Sequence, residues 1–159
     1  MKIRREVSED IADVRALLTD AFGRTAEADL ADALRPEAAL SLVAEADGEV
    51  TGHLMLSPLD APFRACALAP VAVAPLWQGR GIGTALIRAA MDMADCDAIF
   101  VLGDPEFYGQ LGFRADLAAG YACAYAGPHL MIHARHEVPA TGRILYPQAF
   151  SAAGSSDPR

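Results

Sequence analysis

The chain has 159 residues, of which 53% are apolar and 21% charged, and it carries a formal net charge of −8. This length suits one compact domain with a substantial core. The negative charge and the scattered arginines argue against nucleic-acid binding, which requires a basic surface that neutralises the phosphate backbone.

Neither a membrane-spanning segment nor a secretion signal is expected from the sequence. No stretch of about eighteen residues has the apolar character of a membrane helix, and the segment from Met1 to Glu6 lacks an apolar core. Three cysteines, Cys66, Cys96 and Cys123, form no CxxC pair, which argues against a disulfide framework and a zinc site. We therefore expect a cytoplasmic protein whose cysteines are small, buried hydrophobic residues.

The amino-terminal part of the chain predicts a strand and two helices. Residues 2–7 form a short strand candidate, and Ser8 offers a helix N-cap ahead of two acidic residues. Apolar residues at helical spacing then predict a helix over 9–21; they are Ile11, Val14, Leu17, Leu18 and Phe22. A second helix is predicted over 26–34, because Pro36 prevents its extension.

The next segment predicts three strands. Strands over 40–45 and 50–57 are expected to pair as an antiparallel hairpin, because Asp47-Gly48 suits a tight two-residue turn. Residues 65–74 predict a third strand that contains Pro70. A proline cannot donate to the ladder, so it indicates an edge strand or a bulge.

A glycine-rich segment joins this strand to a helix predicted over 82–94. Glycines at 79, 81 and 83 allow a ligand to approach the backbone closely. The first N–H groups of a helix have no acceptor within the helix, and the helix dipole attracts negative charge. The segment therefore predicts a phosphate-binding loop.

The spacing of the glycines excludes two common phosphate-binding motifs. A nucleotide P-loop places a Lys-Ser/Thr pair after its second glycine, whereas Thr84 and Ala85 follow Gly83. The dinucleotide fingerprint G-x-G-x-x-G is absent, because the loop here is G-x-G-x-G. The pattern that remains is Q-x-x-G-x-G after a Val-Ala-Val strand.

This pattern resembles the acetyl-CoA loop of the GNAT superfamily of N-acetyltransferases. A second motif follows an apolar strand predicted over 98–104: the run Phe-Tyr-x-x-Leu-Gly-Phe at 107–113 is similar to a short superfamily helix that carries a tyrosine and ends at Gly-Phe. The two motifs occur in the superfamily's order and together span about residues 70 to 114. The Val-Leu-Gly-Asp-Pro run at 101–105 resembles a bacterial branch of predicted acetyltransferases.

The resemblance implies the fold. We expect an α/β protein with a mixed, mostly antiparallel central sheet of six or seven strands flanked by about four helices. One acetyltransferase domain would occupy residues 1–150, with its last strands over 121–125 and 130–134. Residues 151–159 are expected to be a disordered tail.

The resemblance also implies the activity, which is direct transfer of an acetyl group from acetyl-CoA, the co-substrate, to a primary amine. The strand with Pro70 would part from its neighbour and admit the pantetheine arm, and Tyr108 would protonate the departing CoA sulfur as the general acid. The residues expected to bind acetyl-CoA are Val71, Ala72, Val73, Gln78, Gly79, Arg80, Gly81, Ile82, Gly83 and Thr84.

Several alternatives stay open at this point. The general base is Asp60, Glu106, His53, a water chain or, if the amine arrives neutral, no group at all. A non-catalytic acyl-CoA-binding or sensing module is the alternative function, and a longer acyl donor would suit the small residues Ala67, Ala69 and Ala72. The resemblance suggests that the acceptor meets residues of the first two helices, namely Phe22, Arg24 or Glu27. An apolar carboxy-terminal half makes a homodimer plausible.

We expect no metal site. His129, His133 and His136 have the spacing i, i+4 and i+7 that would suit metal ligands on a helix. They fall in a predicted strand and its exit, where that spacing spreads them apart.

Overall fold

The computed structural model describes residues 1–153, which contain eight strands and five α-helices. The strands are β1 (Lys2–Arg5), β2 (Leu40–Ala46), β3 (Glu49–Leu59), β4 (Ala65–Val73), β5 (Ala98–Leu102), β6 (Tyr121–Ala122), β7 (Leu130–Ala134) and β8 (Gly142–Arg143). The helices are α1 (Ile11–Phe22), α2 (Ala26–Leu34), α3 (Ile82–Met93), α4 (Pro105–Gln110) and α5 (Ala149–Ala153). Within this range, no helix is long and apolar enough to cross a bilayer.

Six strands form one sheet in the order β1-β2-β3-β4-β5-β7. Every neighbouring pair is antiparallel except β4 and β5, which are parallel. The predicted fold, a mixed and mostly antiparallel sheet flanked by helices, is therefore confirmed.

The strand predicted over 121–125 is wrong in length and in pairing. It ends after Ala122 and pairs with β8 in a separate two-stranded sheet. The backbone turns directly afterwards, where the Ala126 N–H donates to the Cys123 carbonyl at 3.2 Å. The strand predicted over 130–134, in contrast, has the bounds of β7.

The second helix and the turn of the β2–β3 hairpin agree with their sequence predictions. Helix α2 has its predicted bounds, and Asp47 and Gly48 turn the β2–β3 hairpin with φ values of +53° and +76°.

The prediction that Ser8 is the N-cap of the first helix is wrong. Val7 is the N-cap of a short turn over Ser8–Asp10, and the Asp10 carboxylate at the third position of that turn accepts the Val7 N–H at 2.8 Å. The Arg4 guanidinium donates to this carboxylate at 2.8 and 3.0 Å.

Helices cover both faces of the sheet. Helices α1, α2 and α5 pack on one face, where Leu18, Met55 and Phe100 are fully buried. Helices α3 and α4 pack on the other face, with Leu54 and Leu86 at its centre. Helix α3 approaches the sheet closely at Gly52, since a Cβ there would lie 2.8 Å from the Leu86 Cδ1 atom. This packing fixes the start of α3 beside the end of β4.

The carboxy-terminal helix α5 contains the first three residues of the segment that was expected to be disordered. Phe150 of this helix is buried, and α5 packs on α2. The rest of the expected tail, residues 154–159, lies outside the described residues.

Candidate active site

Strand β4 carries a bulge at its proline. Leu54 of β3 lies opposite Val71 and Leu56 lies opposite Leu68, so that Ala69 and Pro70 together oppose one residue of β3. A bulge leaves the extra residue outside the ladder and bends the strand. Pro70, which has no N–H, therefore lies where the ladder requires none, and the bulge expected from the sequence is present.

Strands β4 and β5 part shortly after they begin. They pair only at three positions, from Ala65 opposite Ala98 to Ala67 opposite Phe100. Beyond these positions β4 continues to Val73 and β5 to Leu102 without pairing to each other. We call the opening between them the β4–β5 gap.

The backbone of β4 presents two of its amides to this gap. The Ala74 N–H donates to the Thr51 carbonyl of β3 at 2.8 Å, and successive residues of a strand point their backbone groups to alternate sides. Val71 and Val73 therefore face the β4–β5 gap. Ala72, which pairs with His53, faces β3 instead. Its N–H serves the β3–β4 ladder and does not suit the expected contact with acetyl-CoA.

The glycine-rich loop at the end of β4 leaves room for a ligand. Gly79 and Gly81 have φ values of +77° and +81°, a conformation that side chains resist. A Cβ at either position would have no described atom within 4 Å. Gly81 is the N-cap of α3, and no side chain of residues 1–153 caps this helix. The first amides of α3 thus open toward the exposed loop.

Side chains of the same segment support the loop. Gln78 donates from Nε2 to the Val73 carbonyl at 3.0 Å, which ties the loop to the end of β4. The Arg80 guanidinium carbon lies 4.8 Å from the centre of the Trp77 ring, a cation–π distance. Ile82, the first residue of α3, has its side chain buried in the core between this helix and the sheet. Gln78 and Ile82 therefore support the loop with their side chains, although Gln78 stays exposed.

Tyr108 is buried at the end of β5. Its residue is 1% exposed, and its ring makes edge-to-face contacts with Phe107 and Phe113 at centroid distances of 5.0 and 5.6 Å. Helix α4 begins directly after β5, because the Asp104 carboxylate accepts the Glu106 N–H at 3.0 Å as an N-cap. The predicted tyrosine helix is present, and it follows the strand that borders the gap.

The three candidate bases lie apart from one another. Asp60 follows β3 and pairs with Leu145, at the end of β4 opposite the diverging part. Glu106 is exposed in the first turn of α4. His53 lies in β3 beside Ala72 and is 0% exposed. No distance in the structure selects one of them as the base.

His53 belongs to a buried polar cluster that no local sequence signal predicts. Its Nδ1 atom lies 3.7 Å from the Glu6 Oε2 atom, and Arg35 donates to the Glu6 carboxylate at 2.7 and 3.3 Å. Burial lowers the pKa of His53 to about 4, although Glu6 opposes this shift. His53 is therefore neutral near pH 7.

A second ion pair lies where α1 meets α2. Arg24 donates to the Glu27 carboxylate with Nε at 3.0 Å and with Nη2 at 2.6 Å. The Glu27 side chain is 2% exposed, whereas that of Arg24 is 46% exposed. Phe22 is partly buried against the same core. The three residues expected near the acceptor thus lie together where α1 is followed by α2.

The three spaced histidines contact three different groups. His129 and His133 contact the carbonyls of Gly103 and Gly112 through Nδ1, while His136 contacts the Asp97 carboxylate through Nε2 at 3.0 Å. Among the described residues, no cluster of histidine, cysteine or acidic side chains is arranged to hold a metal ion.

The comparisons with known proteins decide the family. The family model for the acetyltransferase (GNAT) family matches residues 10–113. The chain belongs to the GNAT family. It is 37% identical over 133 residues to the uncharacterized N-acetyltransferase YjhQ of Escherichia coli K12, a match that covers 75% of this chain and 73% of that protein. The family confirms the expected enzyme class, an acyl-CoA-dependent acetyltransferase.

Two solved structures of GNAT proteins share the whole fold. The Escherichia coli YhbS structure, in complex with CoA, superimposes with a TM-score of 0.91 at 28% identity and covers 99% of this chain and 95% of that one. A Brucella melitensis acetyltransferase, in complex with acetyl-CoA, gives a TM-score of 0.80 at 33% identity, with 94% and 97% covered. One of these relatives is bound to CoA and the other to acetyl-CoA, the co-substrate predicted for this GNAT chain.

Proposed function

We propose that residues 1–150 form one N-acetyltransferase domain that transfers the acetyl group of acetyl-CoA directly to a primary amine. The observation that carries this proposal is the alignment of the open glycine loop, the Val71 and Val73 amides and the β4–β5 gap along one strand. The CoA and acetyl-CoA complexes of the two structural relatives support it.

The loop would hold the diphosphate of CoA. Backbone N–H groups from Gly79 to Thr84, at the amino end of α3, would donate to the phosphate oxygens, and the helix dipole would strengthen this contact. Arg80 is exposed beside the loop and would add a positive charge. Val71 and Val73 would hydrogen-bond the pantetheine amides through their backbone groups.

The transfer would proceed by direct attack of the amine on acetyl-CoA. A neutral amine attacks the thioester carbon, and backbone N–H groups at the gap stabilise the negative charge on the carbonyl oxygen. The carbon–sulfur bond then breaks, the sulfur takes a proton from the Tyr108 hydroxyl, and the nitrogen gives a proton to water, from which Tyr108 regains its own. No acyl-cysteine is needed, and the buried thiols of Cys66 and Cys96 lie beside each other at the opposite end of β4.

Two measurements test this function. Calorimetry with acetyl-CoA should show binding by the purified protein. Thiol release should then depend on an added amine when small amines, polyamines, amino sugars, aminoglycosides and peptide amino termini are supplied in turn. Binding without turnover on any amine would favour the sensing module, and the absence of binding would refute the proposal.

Substitution of Gly81 by alanine should weaken acetyl-CoA binding. A side chain at φ +81° costs about 1–2 kcal/mol, and relief of this strain would reorient the first amides of α3. We expect the Kd for acetyl-CoA to rise about tenfold, which corresponds to about 1.4 kcal/mol. Calorimetry measures this change directly.

Gly48→Ala is the matched control for this substitution. Gly48 also has a positive φ, +76°, with no described atom within 4 Å of an added Cβ, but it turns the β2–β3 hairpin. It should lower the free energy of unfolding by a similar amount and leave the Kd unchanged. An equal rise of Kd in both variants would show that the Gly81 effect is general destabilisation.

The cytoplasmic location and the homodimer stay predictions. Free Cys66, Cys96 and Cys123 are consistent with a reducing compartment. Sedimentation of the purified chain would determine its oligomeric state.

A further inference from the structure

The Tyr108 ring rests on the backbone of Gly103. A Cβ built at Gly103 would lie 2.7 Å from Tyr108 Cδ2 and still closer to Cε2. Real Cβ atoms do not approach ring carbons this closely, so no other residue fits under the ring in its present place. Gly103 is the residue between the end of β5 and Asp104, the N-cap of α4.

His129, the residue before β7, contacts both backbone polar groups of Gly103. The Gly103 N–H donates to the His129 carbonyl at 3.1 Å, and the His129 Nδ1 atom lies 3.2 Å from the Gly103 carbonyl. A carbonyl oxygen only accepts, so Nδ1 must carry the proton of this hydrogen bond. The Gly103 backbone is thereby held from its side facing β7 while its α-carbon supports the ring.

The start of α4 links the backbone after Gly103 to Tyr108. The Tyr108 N–H donates to the Asp104 carbonyl at 3.0 Å, and the Asp104 carboxylate caps the helix. The rings of Phe107 and Phe113 contact the Tyr108 ring by its edges and faces. Displacement of the Gly103 backbone would therefore move both the helix start and the surface on which the ring lies.

We propose that Gly103 and His129 are positioning residues that set the Tyr108 hydroxyl against the CoA sulfur. This inference rests on the proposed function, in which Tyr108 is the general acid. A general acid must stand within hydrogen-bond reach of the atom that it protonates. A misplacement of about 1 Å costs on the order of 10²-fold in rate, so the support under the ring matters as much as the hydroxyl itself.

The first test is Gly103→Ala, with Gly109→Ala as the matched control. The new methyl group should push the Tyr108 ring away and lower kcat about 10- to 100-fold, with an unchanged Kd for acetyl-CoA. Gly109 lies on the same short helix, and a Cβ there would meet no described atom within 4 Å. Its alanine variant should keep the kcat of the unchanged protein. Equal kcat in the two variants would overturn the proposal.

The second test uses His129 and remains informative if Gly103→Ala fails to fold. His129→Ala removes the donor to the Gly103 carbonyl and should lower kcat severalfold. In His129→Asn, the side-chain Nδ2 atom can replace Nδ1 as the donor and should restore most of the rate. Loss of rate that asparagine does not restore, or no loss in the alanine variant, would contradict the role of this hydrogen bond.

A double-substitution cycle separates this inference from the general-acid role. In the Tyr108→Phe background, Gly103→Ala should cost no further rate, because no hydroxyl remains to be placed. NMR of ¹³C-labelled tyrosine rings reports the Tyr108 environment without reference to catalysis. A shifted Tyr108 signal in Gly103→Ala, together with full activity of Tyr108→Phe, would keep the support of the ring and refute the acid role. An unshifted signal would refute the support itself.

Discussion

Replacement of Tyr108 by phenylalanine should lower kcat about 10²- to 10⁴-fold, the range that general acids contribute. The departing thiolate would then leave without a proton from the protein, while the donor contacts at the loop and at β4 stay intact. The Kd for acetyl-CoA should therefore change little. Thiol release at saturating amine gives kcat, and calorimetry gives the Kd.

Tyr121→Phe is the control for the loss of a buried tyrosine hydroxyl. Tyr121 is 3% exposed, lies on the other face of the sheet and donates to the Pro139 carbonyl. Its phenylalanine variant should lose about 1 kcal/mol of stability and keep its kcat. A Tyr108→Phe enzyme within threefold of the original kcat would mean that Tyr108 is not the general acid.

The free energy of unfolding should fall by about 3 kcal/mol between pH 6.5 and pH 4 because of His53. Burial lowers the pKa of this imidazole from 6.5 to about 4. Above pH 6.5 neither the folded nor the unfolded form binds a proton at His53, so this residue causes no loss of stability there. Below that pH the unfolded chain gains the proton first, and the folded state loses stability until the pH reaches about 4. Urea unfolding across this range measures the slope.

His53→Leu should flatten this pH dependence, because it removes the titrating group and leaves a side chain that suits burial. His136→Gln is the control, since His136 is exposed and its pKa is raised, first by the Glu137 carbonyl and then by Asp97. Asp10, whose pKa is lowered chiefly by Arg4, loses its stabilising contribution only below about pH 4. An unchanged slope in His53→Leu would assign the acid sensitivity to other groups.

Features governed by local backbone preference could be predicted from the sequence. Asp47-Gly48 accepts positive φ angles and therefore turns a hairpin wherever the flanking strands form. Gly81 ends the loop and starts α3 for the same kind of reason. Pro70 required a break in the ladder, and the bulge provides it. These features depend on a few adjacent residues, so their sequence signals are reliable.

Features that depend on distant partners were missed. Ser8 is not the N-cap; the Asp10 carboxylate instead accepts the Val7 N–H, held in place by Arg4 six residues away. Ala72 faces β3 because the bulge shifts the register of β4. The support of Tyr108 by Gly103 needed the strand end and the helix to be seen together, although a glycine between a buried strand and an Asp-Pro helix start was a signal that could have drawn attention to it.

Under the proposed function, the three pairs that join β4 to β5 also determine how acetyl-CoA would enter. Because β5 leaves β4 after Ala67, the cost of separating two central strands is met once, when the chain folds. A thioester arm that settles between them breaks no existing ladder and instead supplies partners to Val71 and Val73. On this proposal the enzyme is preorganised for its donor, because binding would fill an existing opening and break no strand pairs.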